Sequence, residues 1–503
     1  MAENGANAAR LNAGIVPAYG SAAAVFLALL GAGAAFTFAP FANQKPGVAA
    51  FVAAFPILLI AMLGVPALQC LRFGPRVLLI LLVLRPLVDV QTTSVGLTLK
   101  ASSGLSLQEG FAAAFALLLV AIWVAESRHS EYSKLPNLFL TVLLGLTSLS
   151  WLIGGLGEGA RGFARTAWGL LVALLLGPLF RTEKQIDILI RTVFYSAFLV
   201  LLTLGLNLSK GVEGVSGDAL DQVWRLAGQY GSPNALAGVA FSFFVCGLYV
   251  FGRAHTVLGR LLSLLLLSLL AVVIVYTQSR TIGGLMLVSV GLWLWGRGRR
   301  RLLYGVVVPL LVFLMASSAG TGWRLVSSFS LTNEQFNPNV LTLQGRIVLW
   351  GEWLMKYLHA SLFHQVFGLG WGVVLRDFLR DFLAMRFFGS SITESAFLWF
   401  LVGTGALGLL TFCAYLFWVL FKAWGEWRKA PDRFEGQFAL LTFLAALTFV
   451  VEGFTTDLAI SPNTNVYLYA VMSIFVFQRL RNTSRCASKV ADTRIFKESE
   501  RSC

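Results

Sequence analysis

Charge is what this sequence has least of. Only 13 % of its 503 residues are charged, against about 25 % in soluble domains. A soluble chain of this length would divide into several domains with polar surfaces, and there is too little polar sequence to cover them. Histidine is scarce at 4 residues and cysteine at 5. Cys70, Cys246 and Cys413 sit in or beside apolar blocks, and Cys486 and Cys503 lie in the tail. No CxxC or Cys/His spacing occurs, so neither a zinc site nor a disulfide framework is expected. His359 and His364 stand five apart without a third ligand, which is weak evidence for a metal. Gly368-Leu369-Gly370-Trp371-Gly372 lacks the Gly-Lys-Ser/Thr that completes a phosphate loop. It reads as a tight turn.

What is abundant is apolar sequence. It makes up 57 % of the chain and gives a mean hydropathy of +0.76. It comes in blocks near the roughly 20 residues that cross a bilayer, such as Leu261 to Tyr276 and Leu302 to Ala319. The reading is an all-α polytopic transmembrane bundle of about 12–14 spans. Its first block, 18–41, lacks the strongly basic start and cleavage site of a signal peptide and is expected to be a retained span. An N-terminal bundle is expected over 1–319, a loop over 320–392, further spans over 393–478 and a basic tail over 479–503.

The net charge of +15 would suggest nucleic acid in a soluble protein. In a membrane protein the positive-inside rule comes first. With both termini cytoplasmic, most of the 39 Lys and Arg residues, including Arg297, Arg299, Arg300, Arg301 and the tail, fall on inside loops. Nucleic acid is not an expected partner; membrane lipids are. The localisation that follows is a membrane crossed many times, with both termini on the cytoplasmic side.

The same topology puts 320–392 outside as one large external segment. Gln344 to Leu362 reads as an amphipathic helix with Ile347, Leu349, Trp350, Trp353, Leu354, Tyr357 and Leu358 on its apolar face. Trp371 to Phe388 reads as a second such helix. Helices of this composition lie in the membrane interface, and the segment is expected to form a lid on the bundle.

Several arginines stand outside, where the rule disfavours them. Arg161 and Arg165 flank one span, Arg225 precedes another, Arg280 sits in a short turn, and Arg346 opens the first lid helix. Each alone could snorkel to lipid headgroups. Together they suit a pyrophosphate, whose oxygens match the guanidinium fork. Arg85 and Asp89 lie four apart in one span, either as a structural ion pair or as the wall of a polar cavity. Asn234 and Asp457, with Glu452 nearby, could line the same cavity. Glu394, in Ser391-Ile392-Thr393-Glu394, fits a capping box; the alternative is a general base facing the arginines.

Four segments then resemble one family. They are Arg225-Leu226-Ala227-Gly228 with Pro233-Asn234, Ser279-Arg280-Thr281, Gly345-Arg346 followed by Phe367-Gly368-Leu369-Gly370, and Glu394-Ser395 followed by nine residues, Gly405, two more and Gly408. In order and spacing these resemble the O-antigen ligase and Wzy-type polysaccharide polymerase superfamily, GT-C-like membrane glycosyltransferases. Glu394 replaces the family's histidine. The resemblance implies a bacterial inner membrane, with 320–392 as a periplasmic loop. It also implies an undecaprenyl-pyrophosphate-linked oligosaccharide as donor and a metal-independent, inverting transfer at the periplasmic face that needs no cofactor. It gives Glu394 the role of base and Arg225, Arg280 and Arg346 that of pyrophosphate ligands. A chain-length regulator is a further candidate partner. The glutamate leans the reading towards a polymerase. A ligase acting on lipid A core, and a non-catalytic transporter of lipid-linked sugar, are the alternatives.

Overall fold

The computed structural model describes residues 75–83, 85, 115–124, 138–209, 215–218, 223–226, 233–277, 279–298, 343–371, 395–454 and 466–479. All of them fall within one compact unit, Arg72–Cys503. The described part is helical except for one hairpin. In chain order it holds α1 (Phe115–Val124), α2 (Leu138–Ile153), α3 (Leu156–Leu175), α4 (Glu183–Ser209), β1 (Val215–Asp218), β2 (Val223–Leu226), α5 (Pro233–Arg253), α6 (Val257–Thr277), α7 (Arg280–Gly296), α8 (Leu343–Leu358), α9 (Leu362–Phe367), α10 (Ala396–Lys429), α11 (Phe434–Gly453) and α12 (Val466–Arg479). Among the described residues, six helices are long and apolar enough to cross a membrane: the stretch Gly162–Leu179, much of α4, and all of α5, α6, α10 and α11. The chain is a multi-pass helical membrane protein.

Local sequence explains the element ends. Thr182 and Gln185 cap α4 reciprocally: the Gln185 amide donates to Thr182 Oγ1 at 3.3 Å and the Thr182 amide to Gln185 Oε1 at 3.2 Å. Pro233 opens α5 at a position where the missing N–H costs nothing. Pro178 closes α3 through a 3-10 turn, Gly177–Leu179. There the Gly177 amide donates to Ser473 Oγ on α12 at 2.7 Å.

Consecutive apolar helices have different fates. In α5 every residue from Leu236 to Val250 is buried, so it is the core of the bundle, with α4, α6, α7 and α11 packed around it. By contrast α6 exposes Leu258, Leu261, Leu262, Leu265 and Leu269, the all-round apolarity of a helix facing lipid.

Helix directions sort the bundle into two ends. The C-termini of α5 and α7 and the N-terminus of α11 meet around Tyr249, Trp293, Arg297, Trp427 and Gln437, which line one crevice. Ion pairs gather at this Arg297 end. Asp187 of α4 binds Arg191 at 2.6 Å and Arg253 at 3.4 Å and accepts from the Tyr249 hydroxyl at 3.2 Å. Glu426 binds Lys429 at 3.0 Å and Arg479 at 2.5 Å. Arg297 lies 4.4 Å over the Trp293 ring and donates to the Gly252 carbonyl at 2.9 Å.

Candidate active site

At the opposite end lie the N-termini of α5, α7 and α10 and the C-termini of α6 and α11. The backbone brings several expected positions to this end. Arg280 is the first residue of α7, directly after the cap Ser279. Arg225 lies on β2, paired with Ser216 of β1, and β2 packs on α5 and α6. This hairpin was not expected from the sequence. Arg161 and Arg165 are in the first half of α3, whose Thr166 accepts from Trp399 Nε1 of α10 at 3.0 Å. Arg346 is in the first turn of α8, as expected. Asn234 is half-buried in the first turn of α5, and Arg85 is buried. Glu394, Asp89 and Asp457 lie outside the described residues.

The best-defined feature of this end is a notch in α10. Gly405 interrupts the helix with φ 74° and ψ −175°, a combination open essentially to glycine. The break frees backbone groups that would otherwise bond within the helix, and neighbouring segments take them up. The Leu369 amide donates to the Val402 carbonyl at 2.8 Å. Ser150 Oγ of α2 donates to the Gly403 carbonyl at 2.5 Å. The Ala406 backbone meets the Tyr357 hydroxyl, which opposes the upward push of burial on that phenol. The same hydroxyl donates to the Gln365 carbonyl.

Into the notch fits the Gly368–Trp371 loop. Gly368 has φ 92° and lies so close to Gly403 that a Cβ there would overlap its carbonyl. Trp371 is fully buried, covers Gly403, stacks on Trp399 at 5.1 Å between centroids, and donates Nε1 to the Thr147 carbonyl at 3.1 Å. The third and fourth motif segments, far apart in sequence, thus meet at one place. The glycine-rich stretch is a turn, as expected, and also a plug.

The start of α10 revises one expectation. Its N-cap is Ser395, whose Oγ accepts from the Leu398 amide at 3.4 Å and donates to the Gly453 carbonyl of α11 at 3.0 Å. The capping function expected of the Ser391–Glu394 pair is therefore carried one residue after Glu394, because the helix begins at Ala396. Beside Gly453, Glu452 is 1 % exposed, a buried carboxylate at the same end. The sequence reading paired it with Asp457 as a candidate for the cavity wall.

The lid helix also differs from expectation. It ends at Leu358, and a separate short helix, α9, starts after Ser361. Of its expected apolar face, Trp353 and Tyr357 are buried while Leu354 and Leu358 are exposed. His359 Nδ1 bonds its own helix at the Met355 carbonyl, and His364 Nδ1 the Gly368 carbonyl. Among the described residues there is no group of three or more His, Cys, Asp or Glu placed to hold a metal.

Compared with protein-family models and with curated proteins, the chain matches none. Its reading therefore rests on its own motifs and on where the fold puts them.

Proposed function

We propose that the chain is a polysaccharide polymerase of the inner membrane. It would transfer a growing glycan from undecaprenyl pyrophosphate to the non-reducing-end hydroxyl of a new lipid-linked repeat unit. The observation that carries this reading is the meeting of the 366–371 and 395–408 segments in one notch, at the end where Arg161, Arg165, Arg225 and Arg280 lie along the backbone. The resemblance assigns those segments to catalysis. It gives Glu394 the part of the base.

The chemistry follows from the charges. Glu394 takes the proton of the acceptor hydroxyl as its oxygen bonds the anomeric carbon of the donor. The bond from that carbon to the pyrophosphate breaks on the opposite face, so the configuration inverts. The leaving pyrophosphate gathers negative charge, which fixed arginines stabilise best because they need no reorganisation at the moment of reaction. Arg225, Arg280 and Arg346 fill that role, with Arg161 and Arg165 drawing in the headgroup. The notch end is periplasmic in this account, and the Arg297 end, which carries the denser basic loops, is cytoplasmic.

Glu394→Gln and Arg280→Ala should each abolish long-chain polymer in cells while the protein still reaches the membrane in normal amount. Normal chain lengths in both variants would remove these residues from the mechanism.

A further inference from the structure

We propose that the elbow made by α8 and α9 is seated in the lipid bilayer, with Leu354, Met355, Leu358, Leu362 and Phe363 among the lipids at the edge of the hydrocarbon. This goes beyond the catalytic reading and stands whether or not the chain is a glycosyltransferase. The elbow is two-sided. Trp353 and Tyr357 turn inward and are buried, while Leu362 is 75 % and Phe363 53 % exposed. Five apolar side chains on one contiguous outer surface are far more than a water-facing loop carries without a partner.

Depth identifies the partner. α10 has 34 residues, about 51 Å at 1.5 Å per residue, which exceeds the roughly 30 Å of hydrocarbon. Its first cation counted from the notch is Lys422. About 20 residues from Lys422 toward the notch, the length that crosses the core, reach Val402. The Gly405 break therefore lies at the hydrocarbon edge and not above it. The elbow is fixed at this level, because a Cβ on Gly405 would overlap the Val366 carbonyl of α9 and the Leu369 amide bonds Val402.

The lipid-facing surface is already marked at that height. Leu407, Leu410, Ala414, Phe417 and Phe421 are exposed along α10, at the alternating spacings of three and four that make one helix face. The stripe begins two residues past the notch into which the elbow docks. Elbow and stripe thus stand at the same depth, and the lipid that covers the stripe lies at the level of the elbow. Lipid seating would also press the Gly368–Trp371 loop into its notch.

The test uses the full-length protein, with its five native cysteines replaced, in vesicles of phosphatidylethanolamine and phosphatidylglycerol. Single nitroxide labels are placed at Leu358→Cys and Phe363→Cys, with Leu410→Cys and Lys429→Cys as references. The labels at 358 and 363 should collide with oxygen and lose collisions with a water-soluble nickel chelate, as the label at 410 does. The label at 429 should show the reverse. Nickel access at 358 and 363 equal to that at 429 would overturn the proposal. So would shielding from both reagents, which would mean that a second copy or another segment of the chain covers the elbow. Should Phe363→Cys fail to fold, Leu362→Cys carries the same expectation.

Discussion

At the Arg297 end of the bundle, charged side chains meet one another: Asp187 is shared by two arginines and a tyrosine, and Glu426 by a lysine and an arginine. At the notch end, contact is made by glycines, tryptophans and single hydroxyls: Gly403 under Trp371, Ser150 on a freed carbonyl, Gly405 against Val366. The first end is tied by partly exposed ion pairs, which tolerate small shifts and weaken in salt. The second is tied by close approach in a packed, nearly dry region, where a displaced methyl group is felt. A site that must hold a donor, an acceptor and a base in register needs the second kind of construction.

Substitutions can break this contrast. The largest effect is expected from Trp371→Ala, which removes a fully buried ring, its stack on Trp399 and its bond to Thr147. A loss of about 3–5 kcal/mol, typical of buried tryptophan truncation, should appear as a large drop in the unfolding midpoint of the purified protein. Next comes Gly405→Ala. The strained backbone alone costs about 1–3 kcal/mol for a side-chain-bearing residue, and the new methyl also meets the Val366 carbonyl. The same change at Gly425, in the same helix but with open space around it, should raise stability by up to about 1 kcal/mol through helix propensity. Equal effects at the two glycines would erase the distinction between the ends. The smallest loss is expected at Asp187→Asn. Its partners are partly exposed, so about 1 kcal/mol or less should be lost, and the difference from the parent should shrink as salt is added.

Much of the bundle was legible in the sequence, because apolar length and periodicity are local properties. The apolar block Leu261 to Tyr276 lies wholly within α6, and the lid helix begins one residue from its expected start. What was hidden depends on non-local contact. Nothing in Ser150 announces that it will satisfy a carbonyl 253 residues away. Trp371 and Trp399 read as ordinary aromatics until folding stacks them. The division of α8 into Trp353 inside and Leu354 outside is invisible to a hydrophobicity pattern that sees both as apolar. The cap of α10 is a related case: Ser395 lacks the Glu or Gln three residues on that marks Ser391 as a capping box, and what distinguishes it is a contact the local pattern does not contain, its bond to Gly453 of α11. The spacing of Ser395, Gly405 and Gly408 was read as a catalytic signature. The fold gives those three residues structural work at the cap and the notch.

One measurement bears on the central claim most directly. The purified protein is reconstituted in vesicles with only the lipid-linked repeat units of its own host, without metal, nucleotide sugar or other acceptor. The account predicts longer lipid-linked chains, with one undecaprenyl pyrophosphate released for every unit joined, and neither product from the Glu394→Gln protein. Repeat units that remain unextended with the wild-type protein, and no release of the carrier, would contradict it.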